Sequence, residues 1–127
     1  MAVLDTEQDQ FLCDGTTVVV LGGEIDIATA ERALARITAA TADSCVVVDL
    51  SAVEFIDASG VNMLVRALRG ATRARRHLLL AGPTRQLSRI LDVLGLRDVL
   101  ATHEDIEAAT AAHTAARHRA TPPGALH

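Results

Sequence analysis

Two patterns of apolar residues alternate along this chain: short continuous runs rich in Val and Leu, and longer stretches in which apolar positions fall three and four apart. The first reads as buried strands and the second as helices with one apolar face. Thr16 to Leu21 is such a run, ended by Gly22-Gly23. Asp14-Gly15 before it is a hairpin turn that would pair Gln10 to Cys13 antiparallel with the long strand. From Ile27 the spacing of Ile27, Ala30, Leu34 and Ile37 predicts a helix to about Ala40, with Glu31, Arg32 and Arg36 on its other face. Cys45 to Leu50 is a second central-strand run, and Ser51 to Glu54 reads as a polar connection.

Phe55 to Gly60 then leads into a helix whose stripe is Val61, Leu64, Val65, Leu68 and Ala71, with Asn62, Arg66, Arg69 and Arg73 opposite. His77 to Ala81 is a third strand closed by Gly82-Pro83. A helix with Leu87, Ile90, Leu91 and Leu94 buried follows, stopped by Gly95 in a left-handed conformation. Val99 to Thr102 suits a short edge strand, and Glu104 to about His113 a last helix with acidic residues in its first turn. The tail from Arg117 through Pro122-Pro123-Gly124 reads as disordered.

Strands alternating with helices behind an opening hairpin give an α/β fold: a mixed, largely parallel sheet of four to five strands packed with about four α-helices. With 127 residues, half of them hydrophobic, the chain has material for one core. The expected division is an extension over 1–8, a single domain over 9–115 and a disordered tail over 116–127.

Composition narrows the function. Two Phe and no Trp or Tyr leave no platform for stacking bases, and a net charge of −4 does not suit a general binder of phosphate backbones. Direct nucleic-acid contact is therefore not expected. No run approaches the roughly 20 apolar residues that span a bilayer, and no basic segment followed by an apolar one opens the chain. The expectation is a cytoplasmic protein without stable membrane insertion. Cys13 and Cys45 lack the spacing of a zinc site or redox dithiol and read as reduced, buried thiols. Most histidines fall in loops or terminal segments, with His113 and His118 near the chain end, so neither metal nor cofactor is expected.

The stretch from Asp49 to Leu64 interrupts an apolar chain with small and polar residues at a strand-to-helix turn. A helix start exposes unpaired N–H groups that can receive an anion or phosphoryl group. Asp57 and Ser59 are also ordinary capping residues, and on composition alone a cap with a tight turn is the favoured reading. Asp26 and Asp57, each ending a strand, invite an acid–base pair, yet each also sits where a helix begins, and no nucleophile accompanies them. No phosphate loop, nucleophile elbow or metal-spaced histidine pair appears, so an enzyme is not indicated. Arg66, Arg69, Arg73, Arg75 and Arg76 suit a solvated face better than a basic docking patch.

Asp49-Leu-Ser-Ala-Val-Glu-Phe-Ile-Asp-Ala-Ser-Gly-Val61 resembles the signature of STAS domains, typified by bacterial anti-sigma factor antagonists. Gly22-Gly-Glu-Ile-Asp26 is similar to the family's Gly-Glu-Leu-Asp segment, and Pro83-Thr-Arg-Gln-Leu-Ser-Arg-Ile-Leu-Asp-Val-Leu-Gly-Leu96 to its late helix. The resemblance runs from about Phe11 to Ala112. It implies a partner switch in which the antagonist binds an anti-sigma factor, often a serine kinase, and so releases a sigma factor for transcription. Phosphorylation of a serine at the helix start would break that complex, because a phosphate adds nearly two negative charges to an interface shaped for a hydroxyl.

The family's acceptor follows the motif Asp directly, and here that position is Ala58. Ser59 stands one residue later, as a substitute acceptor or, on the favoured reading, as support for the turn. A constitutively binding antagonist, or one controlled by something other than phosphorylation at that turn, is then expected. Its surface would be the Gly23 to Thr29 turn and the Asp57 to Asn62 helix start, with Glu24, Asp26, Asp57, Ser59 and Gly60 in the site and Val61, Asn62 and Met63 as exposed contacts. The rival readings are a STAS scaffold subunit of a lipid transporter or stress-sensing complex, and a nucleotide-binding STAS module supported by the arginine face.

Overall fold

The computed structural model describes residues 15–120, with side chains described through Ala115. Four strands, β1 (Thr16–Ile25), β2 (Cys45–Ile56), β3 (Leu78–Ala81) and β4 (Thr102–His103), lie side by side in chain order, and each neighbouring pair is parallel. Between and after them run α1 (Ala30–Thr41), α2 (Ala58–Arg73), α3 (Arg85–Leu94) and α4 (Ile106–Ala120). The opening hairpin and residues 121–127 lie outside the described residues. The helix predicted to end near His113 continues to Ala120, so the first part of the expected tail is helical.

Alternation along β2 and β3 divides the core between two faces. Val46, Val48, Leu50, Leu78 and Leu80 join Ile37 of α1, Leu64 of α2 and Leu87 and Leu91 of α3 on one face. Val47, Leu79 and Ala81 meet Ala109 of α4 on the other, with Ile106 and Ala112 beside them. Cys45 to Val48 are consequently all buried, as their uninterrupted apolar run predicts. β1 departs from that prediction. Val19, Leu21 and Ile25 are buried, but Val18 and Val20 are 40% and 48% exposed, because α4 packs over β2, β3 and β4 and leaves that face of β1 open.

Gly22-Gly23 does not end β1. The strand continues to Ile25 through register shifts between Val20 and Gly22 and between Gly23 and Glu24, with Gly23 at φ 69°. At the second shift the backbone takes the left-handed conformation that glycine adopts without steric cost. Because β1 goes on, β2 has a partner beyond Leu50. Gly22 pairs with Ala52 and Glu24 with Phe55, so the polar connection expected over Ser51 to Glu54 is strand instead.

Caps set the helix boundaries. The Asp26 carboxylate accepts from the N–H groups of Ala28 (2.9 Å) and Thr29 (3.2 Å), while the Thr29 hydroxyl donates to the Glu24 carbonyl (2.9 Å). This turn delays α1 to Ala30, and Ile27, predicted within the buried stripe, is 82% exposed. Thr84 caps α3 by accepting from Leu87 N–H at 3.1 Å, and Gly95 closes it at φ 70°, as predicted. Leu94, expected in the core, is 54% exposed because Leu87 and Leu91 alone fill the buried line of that short helix. The fourth strand is shorter than predicted: Leu100 is buried ahead of it, Val99 is exposed, and only Thr102 and His103 pair with β3.

Candidate partner-binding site

Parallel pairing brings the ends of β1 and β2 to the same edge of the sheet. Ile25 pairs with Ile56, so Asp26 and Asp57 leave the sheet side by side, and Asp57 N–H donates to the Ile25 carbonyl at 3.2 Å. The Asp57 carboxylate then turns back to accept from Ser59 N–H (2.9 Å) and Gly60 N–H (3.3 Å). Two of the otherwise unpaired donors of α2 are thereby satisfied, and a carboxylate faces the positive end of the helix. Asp57 is therefore the N-cap, and the cap reading of this motif is correct.

The close approach is built on Gly60. A Cβ at this position would stand 2.4 Å from Ile56 Cγ1, 2.9 Å from Ile56 Cδ1 and 3.0 Å from Ile25 Cγ2, so the first turn of α2 rests directly on the ends of both strands. A third element joins them where the Gln86 side chain of α3 accepts from Ile56 N–H at 3.0 Å. Across the adjacent helices, Arg66 of α2 bonds Glu31 of α1 at 2.7 Å. Both side chains are largely exposed, so this ion pair orients more than it stabilises.

Of the residues expected at the surface, Glu24, Ala58 and Asn62 are exposed and Asp26, Asp57 and Ser59 are half-buried. Val61 and Met63 are not the exposed contacts expected at the surface, and Val61 instead keeps the place in the apolar stripe that its spacing predicts. They are 3% and 1% exposed, and with Gly60 they form the underside of the site. The helix turns them inward because the first turn of α2 covers the sheet edge, which extends its buried face from Leu64 back to Gly60. Ile27, projecting from the Asp26 turn, is the exposed apolar side chain that sequence periodicity missed; its spacing from Ala30 and Leu34 disguised it as core. Asp26 and Asp57 each use a carboxylate oxygen to hold backbone N–H groups, Asp26 in the turn before α1 and Asp57 as the cap of α2, an arrangement that favours a structural role over acid–base chemistry. Arg69, Arg73 and Arg75 are exposed along α2 and its end.

A separate cluster lies at the opposite end of β2. Cys45 is buried, as expected, but it is disulfide-bonded and not a reduced thiol; Cys13, the other cysteine of the sequence, lies outside the described residues. Cys45 Sγ is 3.4 Å from His77 Nδ1 and accepts from His77 N–H at 3.1 Å. The ring of His113, buried within α4, meets that of His77 edge-on with centroids 5.2 Å apart. Burial pushes the His77 imidazole below its ordinary pKa. His113 therefore belongs to the core and not to a terminal segment. The ligand atoms of Cys45, His77 and His113 all lie within 4.8 Å of one another, a grouping that the sequence reading of the histidines did not foresee. Among the described residues no helix is long and apolar enough to cross a membrane.

The STAS domain family model matches residues 12–109. Over 104 residues the chain is 26% identical to the anti-sigma-B factor antagonist of Staphylococcus aureus, a match covering 80% of this chain and 92% of that protein. A solved anti-sigma factor antagonist from Mycobacterium paratuberculosis is 31% identical and superimposes with a TM-score of 0.64 over 83% of this chain and 88% of its own. The fold is shared more widely. A sulfate transporter family protein from Wolinella succinogenes matches with a TM-score of 0.69 at 20% identity, over 83% of this chain and 89% of its own. With the parallel sheet, the capped motif turn and these relatives in agreement, the chain belongs to the STAS domain family of anti-sigma factor antagonists.

Proposed function

We propose that this protein binds an anti-sigma factor through the sheet edge formed by the Glu24 to Thr29 turn and the start of α2, and thereby releases a sigma factor for transcription. The observation that carries this reading is the juxtaposition of Asp26 and Asp57 on paired strand ends, with Ile27 exposed beside them and Asn62 exposed on α2. Interfaces of this kind take most of their energy from a few apolar anchors at the centre of a polar rim. Ile27 is the anchor, and Glu24, Ser59 and Asn62 are the rim. Val61, Met63 and Gly60 act beneath the surface by holding the helix start against the strands. No catalytic step is assigned to the chain.

Ala58, exposed at the first position of α2, occupies the place of the family's phosphoacceptor. The proposed consequence is an antagonist that its partner kinase cannot inactivate at that position. Binding should be measured against the partner kinase with and without ATP, for the native chain and for Ala58→Ser. The native complex should survive ATP, whereas Ala58→Ser should gain one phosphate and lose affinity by at least tenfold, as a dianion is placed beside Asp57. Phosphate on Ser59 of the native protein, with release of the partner, would refute the constitutive reading. Retention of transporter subunits in place of any anti-sigma factor would replace it with the scaffold reading.

A further inference from the structure

We propose that the reduced chain holds a divalent transition-metal ion of the zinc class on Cys45, His77 and His113, and that the Cys45 disulfide and this metal site are mutually exclusive states. One thiolate and two imidazoles are the donor set that zinc and cobalt prefer. The observed spacing already approaches what coordination demands. Metal–sulfur and metal–nitrogen bonds of about 2.3 and 2.05 Å set at the tetrahedral angle place the two ligand atoms roughly 3.5 Å apart. Cys45 Sγ and His77 Nδ1 are 3.4 Å apart. The remaining separations, at most 4.8 Å, need to close by up to about 1.5 Å, within reach of side-chain rotation.

The surroundings suit a thiolate ligand. The backbone N–H of His77 points at the sulfur from 3.1 Å, a donor that would stabilise the anion and orient it. Val46 N–H bonds the His77 carbonyl at 2.9 Å, so the sheet fixes Cys45 and His77 relative to one another, while α4 supplies His113 from above. A cavity of about 300 Å³ whose walls include both histidines gives an ion its path and leaves room for a water as fourth ligand. The whole group lies the length of β2 away from Asp57, so its occupancy can be tested without any partner.

A disulfide sulfur carries no ligand charge, which is why the two states exclude each other. Two electrons and two protons from a thiol reductant convert the disulfide to two thiols, while two reductant thiols become a disulfide. Cys45 then releases its proton as the ion binds.

The experiment uses the full chain and Co²⁺ alone as the probe. After reduction by a phosphine, the protein should bind one equivalent, with a thiolate-to-cobalt charge-transfer band and the intense visible bands of tetrahedral Co²⁺; the oxidised chain should show neither. Cys13→Ser, which leaves Cys45 as the single thiol, should bind without reductant. His77→Ala and His113→Gln should each weaken binding by more than roughly a hundredfold, the upper range for losing a mere supporting partner. Circular dichroism monitors the fold of every variant. Absence of the charge-transfer band in natively folded, reduced protein and in natively folded Cys13→Ser would overturn the proposal. So would unchanged affinity in folded His113→Gln.

Discussion

Replacing Gly60 by alanine separates two opposing effects at the start of α2. Alanine is favoured over glycine inside a helix by about 1 kcal/mol, less in the first turn, where Gly60 lies. Against this stands the contact at 2.4 Å that the new methyl would make with Ile56 Cγ1, more than about 1 Å inside the usual 3.5–4.0 Å separation of carbon atoms. Relief cannot come from one flexible chain end alone, because Ile25 Cγ2 closes the other side at 3.0 Å and both isoleucines are buried. Overpacking of this kind costs typically about 1–3 kcal/mol, so the net effect should be a loss of roughly 1–2 kcal/mol. Gly70 of the same helix provides the control. A Cβ there meets nothing within 4 Å, and Gly70→Ala should raise stability by about 0.5–1 kcal/mol through propensity alone.

Urea denaturation read by circular dichroism measures both variants. The midpoint should fall for Gly60→Ala and rise for Gly70→Ala, with unchanged slopes. Since Ile25 and Ile56 immediately precede Asp26 and Asp57, the same substitution should also disturb partner binding. A Gly60→Ala protein as stable as the native chain, or stabilised like Gly70→Ala, would refute the close-contact explanation of this glycine.

Asp57→Ala should cost about 1 kcal/mol of stability through loss of the cap, and Asp57→Asn much less, because an amide oxygen still accepts from Ser59 and Gly60; thermal melts distinguish them. Ile27→Asp should leave the unfolding free energy from urea titration within about 0.5 kcal/mol of native while weakening the anti-sigma factor complex at least tenfold, measured by calorimetric titration. For His77, burial lowers the folded pKa below the unfolded value near 6.5, so the fold favours the neutral ring. Its contribution is complete above that value and is lost as pH falls through the folded pKa. Metal-free protein titrated with urea should therefore lose stability below about pH 6.5, and His77→Gln should flatten the dependence.

The sequence alone determined the succession of elements, because strand and helix signals are local. The apolar run from Cys45 to Val48 predicts a strand buried on both faces, Asp57 predicts a cap, and Gly95 predicts a left-handed stop; each of these features is present in the structure. The motif at Asp57 carried the family for the same reason, since a capped turn on a strand end is specified by adjacent residues. Sidedness was a different matter. Whether Val18 or Met63 meets solvent depends on what packs against its face, so the tertiary structure opened one face of β1 and turned Met63, on the underside of α2, into the core. Ile27 moved from apparent core to an exposed position because hydrogen bonds in the Asp26 turn outweighed its helical spacing. Cys45, His77 and His113 come together only through β2–β3 pairing and the docking of α4, and contacts between residues so distant along the chain leave no periodic trace in it.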